Sequence, residues 1–478
     1  MSQALVFYFI ALGALAVFGL FVWLERSGRS EVVFGIILVL LIVEVVLYPV
    51  QGRVPSVIFD PTVGGQAFRL PELTIPAALF ARFLVHGLPR RLTPTDLAWG
   101  AFLLWWLEGT VIGLLGDNPT KDVLFNGKAI IFIGGGYALA SRLHPSRLLS
   151  PRTCSWLTAL LSAATGTLGV LTLTGRTIVL NLPLIPLHDF GSYEGDPSTI
   201  VWMLAIPLAL VEFCRRRPSA VRVIALLLIL ASPLAGKQRA SLIGLAAALV
   251  VAAAAMVFPT WRERFTRQRW SVIGPAAALV LVTFSGAALA TGMGASTSAL
   301  ASQVVATFTA PGKQESAQSR IVLWGQAETL IAEKPVFGWG QGEWVTIPAS
   351  RTVPAVRTPT HNIVLDLLLR NGLVGLILFV IALLLAVNDG LRLWRRHPDP
   401  RVAAMALGCV AGLVGLIAKG SAESVFDQVR LSTMFGFLLG LVACAVNDAS
   451  ARSMIQPAPP TAAVRRRATR AGHRNTER

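Results

Sequence analysis

The stretch "RTPTHNIVLDLLLRNGLVGLILF", residues 357–379, decides the fold because it passes from polar sequence into a membrane-grade apolar run. The apolar run continues to residue 388 and would be about 42 Å long as a straight helix. The hydrocarbon core of a bilayer is only about 30 Å thick. The first two or three turns of this helix are therefore predicted to stand above the hydrocarbon, with the polar triplet at 370–372 marking its upper edge.

Apolar runs of this kind recur along the whole chain. Of the 478 residues, 54% are hydrophobic and 14% are charged, whereas soluble domains are about 25% charged. The candidate spans are roughly 4–24, 32–50, 71–88, 96–116, 123–141, 155–174, 198–214, 220–235, 240–258, 271–291, 363–388, 402–418 and 431–447. The sequence therefore predicts an all-α, polytopic membrane helical bundle with about 12 or 13 transmembrane helices.

The positive charge is distributed as membrane topology requires. The net charge of +17 is compatible with nucleic-acid binding, but the arginine-rich connections fall in alternate loops between spans. This alternation favours a membrane protein with its N-terminus outside and its C-terminus inside, and it argues against nucleic acid as a partner. Residues 1–447 are predicted to form a single transmembrane domain. The basic residues 448–478 are predicted to be a disordered cytoplasmic tail, with anionic membrane lipids as its possible contacts.

The longest outer loop, residues 292–362, is too long for a simple connection between packed helices and is predicted to be functional. Its second half has an apolar period that predicts an amphipathic helix over 319–334, through Ile321, Trp324, Ala327 or Glu328, and Ile331. Pro335 is expected to end that helix. The glycine-rich "GWGQG" at 338–342 follows no strand, so it indicates a sharp turn back over the membrane rather than a nucleotide loop.

His361 lies at the outer mouth of the span that opens this section. Asn362, Asp366 and Arg370 follow on neighbouring turns of the predicted helix. Histidine is the side chain best suited to general-base chemistry near neutral pH. The alternative is a hydrogen-bonded histidine at a helix start with no chemical role.

Three further cations are candidate anion ligands. Lys237 and Arg239 lie in a tight outer turn, "GKQRASLIG", where charges at the membrane interface are costly and often functional. An arginine fork facing a phosphate or carboxylate would justify that cost, and snorkelling to lipid phosphate is the alternative. Arg320 starts the predicted amphipathic helix, where an anion would also be favoured. Arg351 and Arg357 compete with it for this role. The histidines and acidic residues show no metal-ligand spacing, so no metal is predicted.

Residues 234–386 resemble the bacterial O-antigen ligase and O-antigen polymerase superfamily of membrane glycosyltransferases. Three pieces occur in the order of that family. They are "GKQRASLIG", "SRIVLWGQAETLIAEKPVFGWG" and the histidine–asparagine motif "THNIVLDLLLRNGLVG".

The resemblance implies transfer of a glycan from a polyprenyl diphosphate carrier to an acceptor hydroxyl at the outer face of the cytoplasmic membrane. The implied reaction inverts the anomeric carbon and needs no metal or other cofactor. His361 would be the base, and Arg239 and Arg320 would bind and stabilise the diphosphate. Asn362 and Asp366 would orient His361. The partners implied are a lipid-linked glycan donor and a glycan or glycolipid acceptor, and loop 292–362 would be catalytic.

Other functions remain open at the sequence level. A repeat-unit polysaccharide polymerase would use the same residues and the same chemistry. A lipid-linked glycan flippase or other transporter would place polar groups near the midplane of the membrane, whereas here they cluster at the outer ends of the spans. A non-catalytic scaffold would not need this set of arginines and histidine.

Overall fold

The computed structural model describes residues 3–47, 62–63, 66–67, 70–87, 92–174, 181–182, 185–186, 196–215, 217–231, 233, 239–257, 315–347 and 356–455. The helices of these residues are α1 (Gln3–Arg26), α2 (Ser30–Leu47), α3 (Leu70–His86), α4 (Pro94–Leu115), α5 (Thr120–Gly127), α6 (Ala129–Ser141), α7 (Pro145–Leu148), α8 (Pro151–Thr174), α9 (Asp196–Phe213), α10 (Ala220–Ala231), α11 (Arg239–Val257), α12 (Glu315–Glu333), α13 (Ile363–Arg396), α14 (Pro400–Gly420) and α15 (Val429–Ile455).

The described strands form three two-stranded antiparallel ribbons. They are β1 (Thr62–Val63) with β2 (Gln66–Ala67), β3 (Asn181–Leu182) with β4 (Ile185–Pro186), and β5 (Val345–Ile347) with β6 (Val356–Thr358). Only the third ribbon bears on the functional site, because β6 ends a few residues before His361.

The fold is an all-α polytopic membrane bundle, which confirms the predicted class. Five segments of the described chain are long and apolar enough to cross a membrane: α4, α5 with α6, α13, α14, and α15 as far as Ser450. Each predicted span overlaps described helical residues, with 123–141 divided between α5 and α6, except 271–291, which lies outside the described residues.

Helices α14 and α15 form the centre of the bundle. In the most apolar part of α14, 83% of the residues are buried, and in that of α15, 94% are. Helix α15 packs closely on α6 because small residues face each other. A Cβ atom at Gly436 would lie 2.2 Å from the carbonyl oxygen of Ile133. Any side chain at that position would push the two helices apart, so glycine sets their spacing.

Helix α3, the weakest predicted span, carries a buried arginine whose charge is compensated. Arg82 is 2% exposed, and its Nε donates to Glu25 at 3.0 Å. Its Nη1 donates to the carbonyl oxygens of Ala138 and Leu139. A guanidinium matched in this way can be accommodated inside a bundle that would exclude an unpaired one.

Helix α13 is broken at Gly372, which has φ 62° and ψ −170°. The sequence predicts a helix longer than the bilayer, with a polar triplet at 370–372. In the structure the helical conformation is interrupted within this triplet, at Gly372. The segment 335–342 packs into this break. Leu373 N donates to the Pro335 carbonyl at 2.8 Å, and Trp339 N donates to the Leu369 carbonyl at 2.8 Å. Backbone groups freed by the break are therefore satisfied by the inserted segment.

The amphipathic helix of the outer loop is present as α12, four residues longer at its start than predicted. Its inner face is formed by Leu323 and Ala327, which pack with Val345 and Leu369 in a small satellite core. Ile321, predicted to lie on the apolar face, is 52% exposed. The buried stripe runs through Leu323 and Ala327, beside Trp324 and Ile331, and Ile321 lies outside it.

The predicted boundary of the C-terminal tail also needs correction. Helix α15 continues to Ile455 instead of ending at 447. Residues 456–478, which hold most of the basic tail, lie outside the described part of the chain.

Candidate functional site

His361 sits in an unusual backbone conformation immediately before α13. Its φ is +55°, which makes it the one non-glycine residue with positive φ in the described parts of the chain. Conformations of this kind in a non-glycine residue cost free energy and cluster at functional sites. Asn362 is the N-cap of the helix, and its side chain accepts from Val364 N at 3.0 Å and Leu365 N at 3.3 Å. The start of α13 is thus fixed one residue after the histidine.

The residue before His361 is clamped by a buried carboxylate. Oδ1 of Asp366 accepts from the backbone N of Thr360 at 3.1 Å and from its hydroxyl at 2.9 Å. Oδ2 of Asp366 accepts from the Ser424 hydroxyl at 2.7 Å. Thr360 is fully buried. Asp366 therefore fixes the backbone on which His361 stands, and its described hydrogen bonds do not go to the imidazole ring.

Helix α12 is attached to the same point. Nε1 of Trp324 donates to the Thr360 carbonyl at 3.0 Å. Arg320 lies one turn before Trp324, and residues four apart share a helix face. Arg320 is therefore carried on the side of α12 that faces the histidine segment. Within the described residues, neither Arg320 nor the ring of His361 has a hydrogen-bonding or ion-pairing partner.

Arg370 is engaged in a buried ion pair that sequence reasoning missed. Its Nη1 lies 2.6 Å from Oδ1 of Asp427, and Nδ2 of Asn126 donates to the same oxygen at 2.7 Å. Nε of Arg370 also donates to the Glu343 carbonyl at 3.3 Å. This network ties α13 to α5 and to the loop after α14. The one available sequence signal was the polar run "GSAESVFDQ" between two apolar spans.

The glycine-rich turn lies where the prediction put it and packs closely against the break in α13. Gly338 and Gly340 have φ of +73° and +84°. A Cβ atom at Gly340 would lie 2.4 Å from the backbone N of Gly113 in α4. Next to this contact, Nε2 of Gln341 donates to Oδ1 of Asn371 at 3.0 Å. The turn therefore packs through its backbone against α4 and the break in α13, as a glycine-rich turn can.

Arg357, predicted to contact substrate, already has protein partners. Its Nη1 lies 3.0 Å from Oδ2 of Asp122 in α5, and its Nη2 donates to the Gly342 carbonyl at 3.2 Å. The guanidinium remains 37% exposed. Arg357 is thus fixed at the rim of the site, beside α5.

Arg239 is the first residue of α11, and its side chain, like the whole of Lys237, lies outside the described residues. The backbone of α11 nevertheless shows where this helix starts. A Cβ atom at Gly244 would lie 2.6 Å from the Gly415 carbonyl in α14, and one at Gly420 would lie 3.1 Å from Cβ of Ile363. The start of α11 and the start of α13 therefore flank the same end of α14, which brings Arg239 to the end of the bundle that holds His361.

A second buried ion pair lies at this end. Lys419, fully buried at the end of α14, pairs with Glu423. Nearby, the hydroxyls of Thr199 and Ser241 lie 2.8 Å apart and join α9 to α11. These residues were not singled out from the sequence, because a lysine at the end of a span resembles an ordinary interface residue.

Among the described residues of the site, Glu343 is the one acidic group outside the membrane spans whose pKa is shifted. Burial raises its pKa above the ordinary value, against the opposing effects of Arg357, the backbone N–H of Trp344, Lys334 and Arg370. A carboxyl group of this kind exchanges protons at a higher pH than a solvated glutamate.

These features define the class of the protein: a multi-pass membrane protein that gathers a histidine, several cations and a buried polar network at one end of its bundle. Residues 224–380 match the family model described as O-antigen ligase, a region that contains Arg239, Arg320 and His361. The chain is also similar to the O-antigen ligase of Pseudomonas aeruginosa, with 27% identity over 317 residues, 64% of this chain and 67% of the relative. Both comparisons support the resemblance to the O-antigen ligase superfamily that the motifs predicted.

Proposed function

We propose that this protein transfers a glycan from a polyprenyl diphosphate carrier to an acceptor hydroxyl at the outer face of the cytoplasmic membrane. The observation that carries the proposal is the placement of His361. Its backbone is held in a strained conformation by Thr360 and Asp366, while its ring has no partner in the described structure. A strained backbone conformation at a residue whose side chain can transfer protons, and has no protein partner, is typical of an active site.

In the proposed reaction, the acceptor hydroxyl oxygen attacks the anomeric carbon of the donor sugar. The bond between that carbon and the diphosphate oxygen breaks, and the carrier diphosphate leaves with the bonding electrons. A ring nitrogen of His361 takes the hydroxyl proton. Attack on the face opposite the leaving group inverts the anomeric carbon. The same scheme serves an O-antigen ligase, whose acceptor is a different glycan or glycolipid, and a repeat-unit polymerase, whose acceptor is a growing chain.

The leaving diphosphate develops negative charge, which fixed cations stabilise. We assign this role to Arg239 and Arg320, with Lys237 as an additional contact. Helix α12 supports the assignment, because it carries Arg320 on the face whose Trp324 bonds the residue before His361. In this scheme Arg357 lines the rim of the acceptor side, since it is oriented by Asp122.

Asn362 and Asp366 act in this scheme through the histidine rather than on the sugar. Asn362 caps α13, and Asp366 clamps Thr360. We therefore place both as positioning residues. The transmembrane domain would end with α15, and loop 292–362 would be its catalytic segment. The positive-inside pattern supports an active site on the outer, periplasmic face.

The proposal is tested by transfer in vitro with purified full-length protein, an undecaprenyl-diphosphate glycan and a panel of acceptors. We expect His361→Ala to lower the rate by roughly 10²–10⁴-fold, the usual contribution of a general base. Arg320→Ala should lower it by about 10²–10³-fold. The matched control is Arg147→Ala, an arginine that is 61% exposed at the opposite end of the bundle.

The accepted partner separates the two enzymatic forms of the proposal. Transfer to a lipid-anchored core glycan indicates a ligase, and extension of a lipid-linked repeat indicates a polymerase. If intact lipid-linked glycan crosses the bilayer of a proteoliposome without new product, and the three variants leave that flux unchanged, the transferase proposal is wrong and the protein is a flippase.

A further inference from the structure

Two aromatic side chains lie together at the end of the bundle that holds His361. Phe125 of α5 and Trp344, which precedes β5, have ring centroids 6.1 Å apart and planes inclined by 35°. Phe125 is 37% exposed, and Trp344 is partly exposed. Their edges form one small apolar platform in a region that is otherwise polar and charged.

Cations hold both rings in place. The guanidinium carbon of Arg370 lies 5.4 Å from the centroid of Trp344, and Nζ of Lys128 lies 4.8 Å from the centroid of Phe125. Each cation is itself fixed, Arg370 by Asp427 at 2.6 Å and Lys128 by Glu72 at 2.6 Å. A platform fixed before a ligand arrives loses little conformational entropy on binding.

Polar groups suited to hydroxyl recognition border the platform. Glu343 is the neighbour of Trp344 in the chain and is partly exposed. On the α5 side, Asp122 and Arg357 form an ion pair whose side chains remain 27% and 37% exposed. Two carboxylates supply acceptors, and the guanidinium supplies donors in a fixed fork. Nε1 of Trp344 is buried and lacks a hydrogen-bond partner in the described structure, so one donor is still unmatched.

The β5–β6 ribbon places this platform near the histidine. Val345 pairs with Thr358 and Thr346 pairs with Arg357. Trp344 directly precedes the first residue of β5, and His361 lies three residues after Thr358, the last residue of β6. Both residues therefore lie at the same end of the ribbon. Strands in such a ribbon are about 5 Å apart. The platform and the histidine are thus carried by the two adjoining ends of one short ribbon.

We infer that Phe125 and Trp344, bordered by Glu343, Asp122 and Arg357, form a binding subsite for an uncharged sugar ring of the acceptor. A pyranose ring presents an apolar C–H face to an aromatic platform and hydroxyls at its rim to carboxylates and guanidinium groups. The cations around the platform are already paired, Arg357 with Asp122 and Lys128 with Glu72, so the subsite offers a diphosphate no uncommitted positive charge and is assigned to the acceptor. The assignment of this subsite to the acceptor rests on the proposed transferase function, whereas the binding of a sugar ring does not.

The first test measures binding without any donor. Full-length protein in nanodiscs is titrated with delipidated, dephosphorylated core oligosaccharide, and binding is followed by saturation-transfer NMR. We expect Trp344→Ala to weaken binding about tenfold or more, as loss of a central aromatic contact does. Trp344→Phe, which keeps an aromatic face, should retain most of the affinity and shows that the site still folds.

The matched control is Trp23→Ala. Trp23 is 55% exposed, has the Arg29 guanidinium 5.7 Å from its ring centroid, and lies at the opposite end of the bundle. Its replacement should leave oligosaccharide binding unchanged. Equal affinity of the native protein and Trp344→Ala, or equal losses in Trp344→Ala and Trp23→Ala, would overturn the subsite.

The second test is kinetic and separates the subsite from the transferase proposal. In the transfer assay, Trp344→Ala should raise KM for the acceptor about tenfold and leave KM for the lipid-linked donor unchanged. A rise confined to the donor KM would overturn the acceptor assignment. If no transfer occurs but Trp344→Ala still abolishes oligosaccharide binding, the subsite stands and the transferase proposal fails.

Discussion

Replacement of Gly372 by alanine tests whether the break in α13 holds the site together. Gly372 has φ 62° and ψ −170°, a backbone region that is essentially restricted to glycine and costs another residue about 1–3 kcal/mol. The new Cβ atom would also lie 2.2 Å from the Val336 carbonyl oxygen and 2.6 Å from Gly338 N. Both contacts are with backbone atoms, which have no rotamer through which to move away.

Relief of that overlap requires the inserted segment to separate from the break. Separation would sever the bond from Leu373 N to the Pro335 carbonyl, 2.8 Å long, and the bond from Val374 N to the Val336 carbonyl, 3.3 Å long. Each buried bond left unmade costs about 1 kcal/mol or more. Together with the backbone term, we expect Gly372→Ala to lower the free energy of unfolding by roughly 3–5 kcal/mol.

The assay is a denaturant titration of the purified protein in detergent micelles, followed by tryptophan fluorescence. The matched control is Gly325→Ala in α12, because a Cβ atom at Gly325 would meet nothing within 4 Å. There alanine should stabilise by up to about 1 kcal/mol through helix propensity. A Gly372→Ala variant within about 1 kcal/mol of the native protein would refute the view that the break is held by close backbone packing.

Three further outcomes are expected. Arg370→Met should lower the free energy of unfolding by about 3–5 kcal/mol, because the Asp427 carboxylate stays buried without its cation. In the same titration, the double variant Arg370→Met/Asp427→Leu should recover most of the loss. Additive losses would contradict a direct ion pair. Trp324→Phe should cost about 0.5–1.5 kcal/mol by removing the bond to the Thr360 carbonyl, and faster amide exchange confined to α12 would confirm it. Burial raises the pKa of Glu343 in the folded state, so the free energy of unfolding should fall as pH rises from the unfolded pKa through the folded one. Glu343→Gln should remove this contribution to the pH dependence of stability. An unchanged pH profile of stability in the variant would contradict the reasoning.

Local patterns in the sequence were sufficient for the all-α membrane class, for the helix of the outer loop and for the turn at the glycines of 338–342. Each of these depends on residues near one another in the chain. Hydrophobic runs long enough to span a bilayer, a helical period of apolar residues and a glycine-rich turn are all local signals. The excess length of α13 was likewise visible, and it pointed to the level at which Gly372 breaks the helix.

The partners of the polar residues could not be predicted in this way. Arg370 pairs with Asp427 and Asp366 pairs with Ser424, each across more than 50 residues of chain. No periodicity connects such residues, because the pairing depends on how α13, α14 and α15 pack. The resemblance implied that Asp366 orients His361, and the structure shows Asp366 bonded to the preceding residue, Thr360.

The family match covers only part of what the proposed site requires. Residues 224–380 contain the histidine and the two arginines assigned to chemistry. The groups that hold them in place lie partly outside this region: Asn126 in α5 on one side, and Ser424 and Asp427 after α14 on the other. A buried polar network is stabilising only when all its members are satisfied. The matched region therefore carries the residues that we propose to react, while the groups that position them come from the whole bundle.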